Sequence, residues 1–153
     1  MDKDKRVASQ DSAVLNVEFH VASFASMTST TGTSRKDKRL LEIATLIKKC
    51  FEPVVALSNY PRSQIDVFIQ ILQSDGGLLH VGINAACLAL IDAGISMTDY
   101  VSACSIGIGK DETMIDLNYT EESTECPCLT IAMAPKSGKL TLCNLECRLH
   151  MDK

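Results

Sequence analysis

The stretch that decides the fold runs from Arg62 to Met97 and reads RSQIDVFIQILQSDGGLLHVGINAACLALIDAGISM. Apolar and polar residues alternate from Ile65 to Ile71, which predicts a strand with one fully apolar face. Asp75-Gly76-Gly77 breaks the strand, and the pattern from Leu78 to Asp92 predicts a helix with Gly94 as its left-handed cap. A strand, a glycine turn and a helix start bring backbone N–H groups and a helix dipole to one point, so the stretch predicts an anion site.

The length and composition of the chain indicate one domain. Its 153 residues are 46% hydrophobic, which is enough for a core, and we predict a polar tail over 1–12 and a single domain over 13–150. The net charge of −4 argues against a free-standing nucleic-acid binder, although a subunit with local basic groups remains compatible with it. The apolar runs are too short for a membrane span and the start is polar, so we expect a soluble protein with no membrane partner and no secretory signal.

The seven cysteines form an odd set, which predicts reduced thiols in the cytosol or nucleus. Cys87 and Cys104 lie in apolar surroundings and are predicted to be small core residues. The other candidates for a structural zinc site are Cys126, Cys128, Cys143 and Cys147. Their spacing differs from the tight CxxC pairs of such sites, so we predict no metal centre.

The sequence before the central stretch predicts one strand and one helix. Alternation from Ala13 to Ala22 indicates a half-buried strand with His20 on its solvated face. Residues 23–34 are rich in Ser, Thr and Gly and predict a flexible loop. Apolar residues at steps of three and four from Lys38 to Leu57 predict an amphipathic helix, with Asp37 as N-cap or first-turn acid. Pro53 is expected to kink or end this helix.

The sequence after Met97 predicts four further strands. They are expected at Val101–Ile108, Thr113–Leu117, Leu129–Ala134 and Lys139–Cys147. Pro135-Lys136-Ser137-Gly138 joins the last two as a hairpin. The order strand, helix, strand, helix and then four strands predicts the α/β (α+β) class, with a mixed sheet and two packed helices.

Two charged groups could converge on the glycine turn. The basic cluster Arg35, Lys36, Lys38 and Arg39 is expected just before the first helix, where it could bind phosphate. Asp116 with Glu121 and Glu122 could hold a metal or act as acid and base. Both groups could equally be solvated surface charges, and spacing alone favours that interpretation.

Several blocks of this sequence resemble the RNase PH family. The blocks are Pro61–Val67, Gln70–Gly77, Ile83–Met97, Asp116–Glu122 and Arg148–His150. Within the family, the chain is similar to the eukaryotic RNA exosome ring subunits that are related to the archaeal catalytic subunit. The resemblance implies an RNase PH, ribosomal protein S5 domain 2-like fold. It also implies a reaction in which active members cleave RNA from its 3′ end with inorganic phosphate.

The resemblance implies roles for particular residues. Family members bind phosphate at a Gly-Gly-Thr/Ser-Arg turn and with a second arginine in an Arg-x-x-Glu-Ile setting, which Arg39 matches here. Gly76 and Gly77 keep the glycines of the turn. Two aspartates six positions apart serve metal binding or acid catalysis, and Asp116 and Glu122 (122 − 116 = 6) occupy these positions as vestigial catalytic residues.

The glycine turn departs from the family pattern at two positions. Leu78 stands at the hydroxyl position and Leu79 at the arginine position. An arginine supplies two charge-assisted hydrogen bonds to phosphate, whereas leucine supplies none. Losing one such contact typically costs ~2–4 kcal/mol of transition-state stabilisation, or a factor of ~10²–10³. His80 is adjacent, but a helical step of about 100° is expected to turn it away from the position of Leu79.

Three functions are compatible with these observations. The first is a non-catalytic exosome ring subunit that lines the RNA channel and supports rRNA maturation and mRNA turnover. Its expected partners are other ring and cap subunits and RNA, with no DNA, in the nucleus, nucleolus and cytoplasm. The residues expected to contact phosphate or RNA are Arg35, Lys36, Lys38, Arg39, Arg62, Gly76 and Gly77.

The second function is an active phosphate-dependent 3′–5′ exoribonuclease that uses Arg39, Asp116 and Glu122. Mg²⁺ and inorganic phosphate would be needed only in that case, and otherwise no cofactor is expected. The third is a purely structural interaction module without RNA contact. The chain is also short for the family, so we expect an incomplete domain that is truncated at both ends.

Overall fold

A computed structural model describes residues 11–22, 24–25, 33–109, 113–122 and 126–146, with side chains from residue 38 onward in the first helix. The elements, in chain order, are β1 (Val14–Val21), α1 (Thr33–Phe51), β2 (Gln64–Ile71), α2 (Leu78–Asp92), β3 (Ser102–Ile108), β4 (Thr113–Ile115), α3 (Tyr119–Glu122), β5 (Cys128–Ala134) and β6 (Lys139–Glu146). A short 3-10 helix spans Leu57–Asn59. Within the described residues, no helix is both long and apolar enough to span a membrane.

The strands form two sheets. β1 and β2 pair in parallel, from Val14 opposite Gln64 to Val21 opposite Ile71. The other four strands form an antiparallel sheet in the order β4-β3-β5-β6. The predicted α+β class is therefore confirmed, with parallel and antiparallel pairing separated into two sheets rather than combined in one mixed sheet.

A single core joins the two sheets. It includes Leu15 and Phe19 from β1, Ile47 from α1, Ile83 from α2 and Ala132 from β5, all at most 5% exposed. Because the helices contact strands of both sheets, they bury one face of each sheet together. The alternation predicted for β1 is confirmed: its odd-numbered residues from Leu15 to Phe19 are buried, and His20 is exposed.

The central stretch folds as its sequence predicts. β2 ends at Ile71, α2 spans Leu78–Asp92, and Gly94 has a left-handed φ of 68° just beyond the helix. The residues following Met97 also form four strands, the last two joined through the 135–138 turn. These elements carry strong local signals, namely period-two alternation, a glycine pair and a hairpin turn.

The predicted bounds of the first helix are wrong at both ends. The helix begins at Thr33, so Arg35 and Lys36 lie within it rather than before it, and Asp37 is its fifth residue rather than an N-cap or first-turn acid. The first turns carry no apolar stripe, so periodicity could not reveal them. The helix ends at Phe51 instead of Leu57, because Pro53 disfavours helical backbone in the residue that precedes it.

Two further predictions need correction. Cys104 is exposed rather than in the core, because strand alternation turns it to the outer face of β3, whereas Cys87 is buried as predicted. The acidic segment after Asn118 contains the short helix α3, which apolar periodicity could not indicate. Asn118 and Glu121 cap its start reciprocally: each backbone N–H donates to the other's side-chain oxygen at 2.9 Å.

Candidate functional site

The glycine turn between β2 and α2 is packed tightly against the segment that leads into α3. Gly76 has φ 97° and Gly77 has φ 63°, a region that side chains rarely adopt. A Cβ on Gly76 would lie 2.5 Å from the carbonyl oxygen of Leu117. The Tyr119 N–H donates to Asp75 Oδ1 at 3.4 Å, which also ties the two segments together. The turn therefore positions the residues from 116 to 122 next to the start of α2.

Gly77 is the N-cap residue of α2. Because glycine has no side chain, α2 begins without a side-chain cap from this residue. Anion binding at this helix start stays a prediction.

His80 lies at this site, although the sequence analysis set it aside because the helical step turns it away from the position of Leu79. Its side chain is 9% exposed, and its Nε2–H donates to Asp116 Oδ1 at 3.1 Å. The ring also lies against the turn, since a Cβ on Gly77 would be 2.4 Å from His80 Cε1. The 100° helical step does separate His80 from Leu79, but α2 is buried over a wide arc that contains both. A histidine three residues after a glycine N-cap was the available signal.

Arg39 reaches the site from α1 but is already paired with carboxylates. Its Nη2 lies 3.6 Å from Glu122 Oε1 and 3.8 Å from Glu146 Oε2. The Arg39 side chain is 60% exposed, so these ion pairs contribute little to stability. Their importance is local: they place two negative groups around the guanidinium that was predicted to bind phosphate.

Leu79 faces the same region as Arg39. Its side chain is 8% exposed and, with Ile43 and Leu46, forms the apolar part of a cleft of about 490 Å³ between α1 and β6. The cleft is also lined by Lys38, Arg39, Glu42, Asn144 and Glu146. Leucine therefore occupies, as a buried apolar group, the position where the family resemblance implies a phosphate-binding arginine.

The structure brings only some of the predicted residues together. Gly76 and Gly77 form the turn, Arg39 and Glu122 line a small pocket with Gly77, and Asp116 contacts His80 beside it. Lys38 lines the neighbouring cleft. The two carboxylates contact different partners, His80 for Asp116 and Arg39 for Glu122.

Other predicted residues lie elsewhere. Arg62 precedes the start of β2 whereas the turn follows its end, and eight residues of strand span about 26 Å, so its predicted contact with RNA phosphate lies away from the turn and stays a prediction. Glu121 is engaged in capping α3. The side chains of Arg35 and Lys36 lie outside the described residues.

The matches to protein families cover nearly the whole chain. Residues 2–96 match domain 1 of the 3′ exoribonuclease family, and residues 99–153 match domain 2. The chain belongs to the 3′ exoribonuclease (RNase PH) family. This membership confirms the resemblance that was based on the central blocks.

Similar sequences carry exosome names. The chain is 37% identical to "Exosome complex component RRP41" of Homo sapiens over 93% of its own length and 58% of that protein. It is also 37% identical to "Exosome complex component SKI6" of Saccharomyces cerevisiae, over 99% of the chain and 62% of that protein. A Pyrococcus abyssi Rrp41 is again 37% identical, over 97% and 59%. The chain thus spans about three fifths of the length of these relatives.

Two solved structures share the fold of this chain. A rice (Oryza sativa) Rrp46 structure superposes with a TM-score of 0.78 at 23% identity, covering 96% of this chain and 65% of that one. The Archaeoglobus fulgidus exosome with RNA bound to the active site gives 0.77 at 20% identity, covering 95% and 64%. At these identities the likeness supports the fold alone.

Proposed function

We propose that this chain is a subunit of an exosome-type ring and that it supports 3′–5′ RNA processing without carrying out phosphorolysis itself. The relatives at 37% identity are named exosome components, which supports the assembly. The observation that carries the non-catalytic role is the buried Leu79 in the cleft beside the turn.

The charges around the turn support the same conclusion. Arg39 is flanked by Glu122 and Glu146, and Asp116 adds a further carboxylate on the other side, next to His80. Inorganic phosphate is an anion, so it would enter a region where carboxylates outnumber the single guanidinium. Without the second arginine, both its binding and its attack on RNA would lose two charge-assisted hydrogen bonds.

A phosphorolysis assay tests this proposal. The chain is incubated with a 3′-overhang RNA, inorganic phosphate and Mg²⁺, and nucleoside diphosphate release is measured. We expect none, and steady release by the unmodified chain would overturn the proposal. Leu79→Arg combined with Glu146→Gln restores a guanidinium and frees Arg39, so weak release is expected there. Leu78→Arg with the same Glu146→Gln is the matched control.

The proposed partners are other exosome ring and cap subunits and RNA, in the nucleus, nucleolus and cytoplasm. Lys38 and Arg39 are the described basic groups beside the turn that could contact RNA phosphates. RNA binding by the reconstituted ring should weaken with salt, and Arg39→Ala should reduce that dependence. Binding that ignores both Arg39→Ala and Arg62→Ala would favour the purely structural alternative.

One observation favours an active enzyme as the second candidate. His80 lies against Gly77 and contacts Asp116, so a nitrogen donor is present at the turn even though Leu79 is not basic. If the unmodified chain releases nucleoside diphosphates, His80→Gln should abolish the release under this alternative. Release unaffected by His80→Gln would exclude a role for the histidine.

A further inference from the structure

A small pocket lies between the start of α2 and the strands β3 and β5. Its volume is about 30 Å³. Among the described residues, three polar side chains are buried, namely His80, Ser105 and Thr130, and all three line this pocket. They are 7%, 3% and 7% exposed. The buried polar side chains of an otherwise apolar core are therefore gathered at one point.

The two hydroxyl groups come from neighbouring strands. Ser105 and Thr130 are direct partners in the register of β3 and β5, and both lie on the buried side of the sheet that α2 contacts. Directly opposed residues of an antiparallel pair have Cβ atoms about 4.5–5.5 Å apart. One small molecule can therefore contact both hydroxyls.

Each of these three side chains has a polar atom without a protein partner. The hydroxyls of Ser105 and Thr130 form no hydrogen bond to a described residue, and His80 forms one only through Nε2, to Asp116. Every fully buried side-chain nitrogen or oxygen of the described residues does have a partner. The two hydroxyl oxygens and His80 Nδ1 must therefore border the open volume of the pocket.

The hydrogen bond between His80 and Asp116 determines what the third atom can bind. Because Nε2 carries the proton that is donated to Asp116, Nδ1 of the neutral ring is a hydrogen-bond acceptor. A hydroxyl group can donate or accept. The pocket therefore offers one acceptor and two adaptable groups, so its ligand needs both a proton to donate and a lone pair to accept with.

We propose that the pocket binds one ordered water molecule, which donates to His80 Nδ1 and bridges Ser105 and Thr130. A buried water molecule needs a volume of at least about 10–15 Å³ and typically makes about three hydrogen bonds, and the pocket provides both. A metal ion is a poorer match, because the described residues contain no group of three or more His, Cys, Asp and Glu side chains that could hold one. The proposal stands independently of the proposed role in RNA processing.

This water molecule connects three elements of the candidate site. It links α2, through His80, to the hydroxyls of β3 and β5, and His80 continues the link to Asp116. Asp116 has a left-handed φ of 61°, which a non-glycine residue rarely adopts. By holding the His80 ring, the water molecule makes His80 a positioning residue for the Asp116 carboxylate.

The ring nitrogens of His80 test the proposal in the ¹⁵N-labelled full chain, at a pH of about 8.5 where histidine rings are normally neutral. Long-range ¹H–¹⁵N correlation spectra separate the three histidines, and His80→Gln identifies the signals of His80. We expect the Nε2–H tautomer. Thr130→Val keeps the shape of the side chain but removes the hydroxyl, so the loosened water should shift the Nδ1 signal downfield. Thr130→Ser keeps a hydroxyl and should leave the signal close to its wild-type position.

The matched control is Thr141→Val, which removes a hydroxyl of β6 that already contacts Cys50 and Ala132. This variant should leave the Nδ1 signal unaltered. Circular dichroism establishes that each variant is folded. The Nδ1–H tautomer would overturn the proposal, and so would an Nδ1 signal that ignores Thr130→Val or moves equally in Thr141→Val.

A crystal structure of the wild-type chain provides a test that needs no variant. We expect one peak of water density within about 2.5–3.2 Å of His80 Nδ1, Ser105 Oγ and Thr130 Oγ1. A pocket without such a peak, or one filled by a neighbouring side chain, would contradict the proposal.

Discussion

Gly76 and Gly138 both have positive φ, 97° and 65°, but their surroundings differ. A Cβ on Gly76 would meet the Leu117 carbonyl at 2.5 Å, whereas nothing lies within 4 Å of a Cβ on Gly138. Gly138→Ala should therefore cost only the left-handed backbone strain of about 1–2 kcal/mol. Gly76→Ala should lower the free energy of unfolding by more than this, because the turn would also have to move away from the backbone of Leu117. Urea unfolding of both variants measures the two losses of stability. Equal losses would show that the turn can shift to accommodate the added methyl group at little cost.

The residue scale also shows where sequence reasoning about the site succeeds and fails. The turn, Arg39, Asp116 and Glu122 could be predicted, because family motifs and spacing mark them. The ion pairs of Arg39 could not, because Glu146 comes from β6 and meets α1 only through the tertiary packing. The helical step predicts that His80 points away from Leu79. Because α2 is buried on several sides, His80 nevertheless contacts Asp116 while Leu79 lines the cleft beside α1.

At the scale of elements, Asn84 joins α2 to β3. Its amide nitrogen donates to the Ala103 carbonyl, and its oxygen accepts from the Ala103 N–H, both at 2.9 Å. β4 pairs with β3 only at residues 106–108, so the side chain replaces a strand neighbour at this edge position. Asn84→Ala should lower the free energy of unfolding by about 1–3 kcal/mol, because two backbone groups lose their partner.

A matched control for this element is Asn59→Ala. The Asn59 amide donates to Ser96 Oγ at 3.3 Å on the surface, where water can replace the bond. A loss within about 0.5 kcal/mol is expected for that variant. If both asparagine variants lose the same amount in chemical denaturation, Asn84 has no special role in holding the strand to the helix.

Asp99 links the start of β3 to the β5–β6 hairpin and makes stability depend on pH. Desolvation acts to raise its pKa, but the N–H groups of Ser137, Tyr100 and Lys136 and the Ser137 hydroxyl together lower the pKa below its usual value. A carboxyl with a lowered folded-state pKa stabilises the fold above its unfolded pKa of about 3.9, and this contribution is lost as the pH falls through the folded value.

The stability difference between wild type and Asp99→Ala should thus be constant from pH 7 to about 4.5 and shrink below about pH 3.9. Thermal unfolding followed across that range measures it. Asp92→Ala, at the exposed end of α2, provides the comparison. A difference that grows on acidification would contradict the assignment of the ionised Asp99 as the acceptor.

The elements differ in how far their sequences determine them. β2, the glycine turn and α2 were all predicted, and the predicted bounds of the helix are correct. The sequence changes abruptly at each boundary, from an alternating pattern to a pair of glycines and then to an apolar run. The start of α1 was missed, since residues 33–37 are polar and lack periodicity. α3 was missed for the same reason: its start is fixed by the reciprocal caps of Asn118 and Glu121 rather than by an apolar stripe.

At the scale of the whole molecule, element order predicted the class but not the division into two sheets. Period-two alternation indicates that a strand has an apolar face, but it carries no information about which strand lies alongside. β1 and β2 pair in parallel across α1, while β3 to β6 pair antiparallel, and both helices contact strands of the two sheets. Two sheets on one pair of helices should behave as a single cooperative unit.

Ile83 tests that cooperativity, because it is fully buried in α2, the helix that contacts β2, β3 and β5. Ile83→Ala should lower the free energy of unfolding by about 2–5 kcal/mol, as expected for a large-to-small change in a core. Val81→Ala, at a half-exposed position of the same helix, should cost far less. Because the sheets share one core, far-ultraviolet circular dichroism and tyrosine fluorescence should report the same urea midpoint in wild type and variant. Separate midpoints would mean that the parallel and antiparallel sheets unfold independently, with α2 stabilising each of them alone.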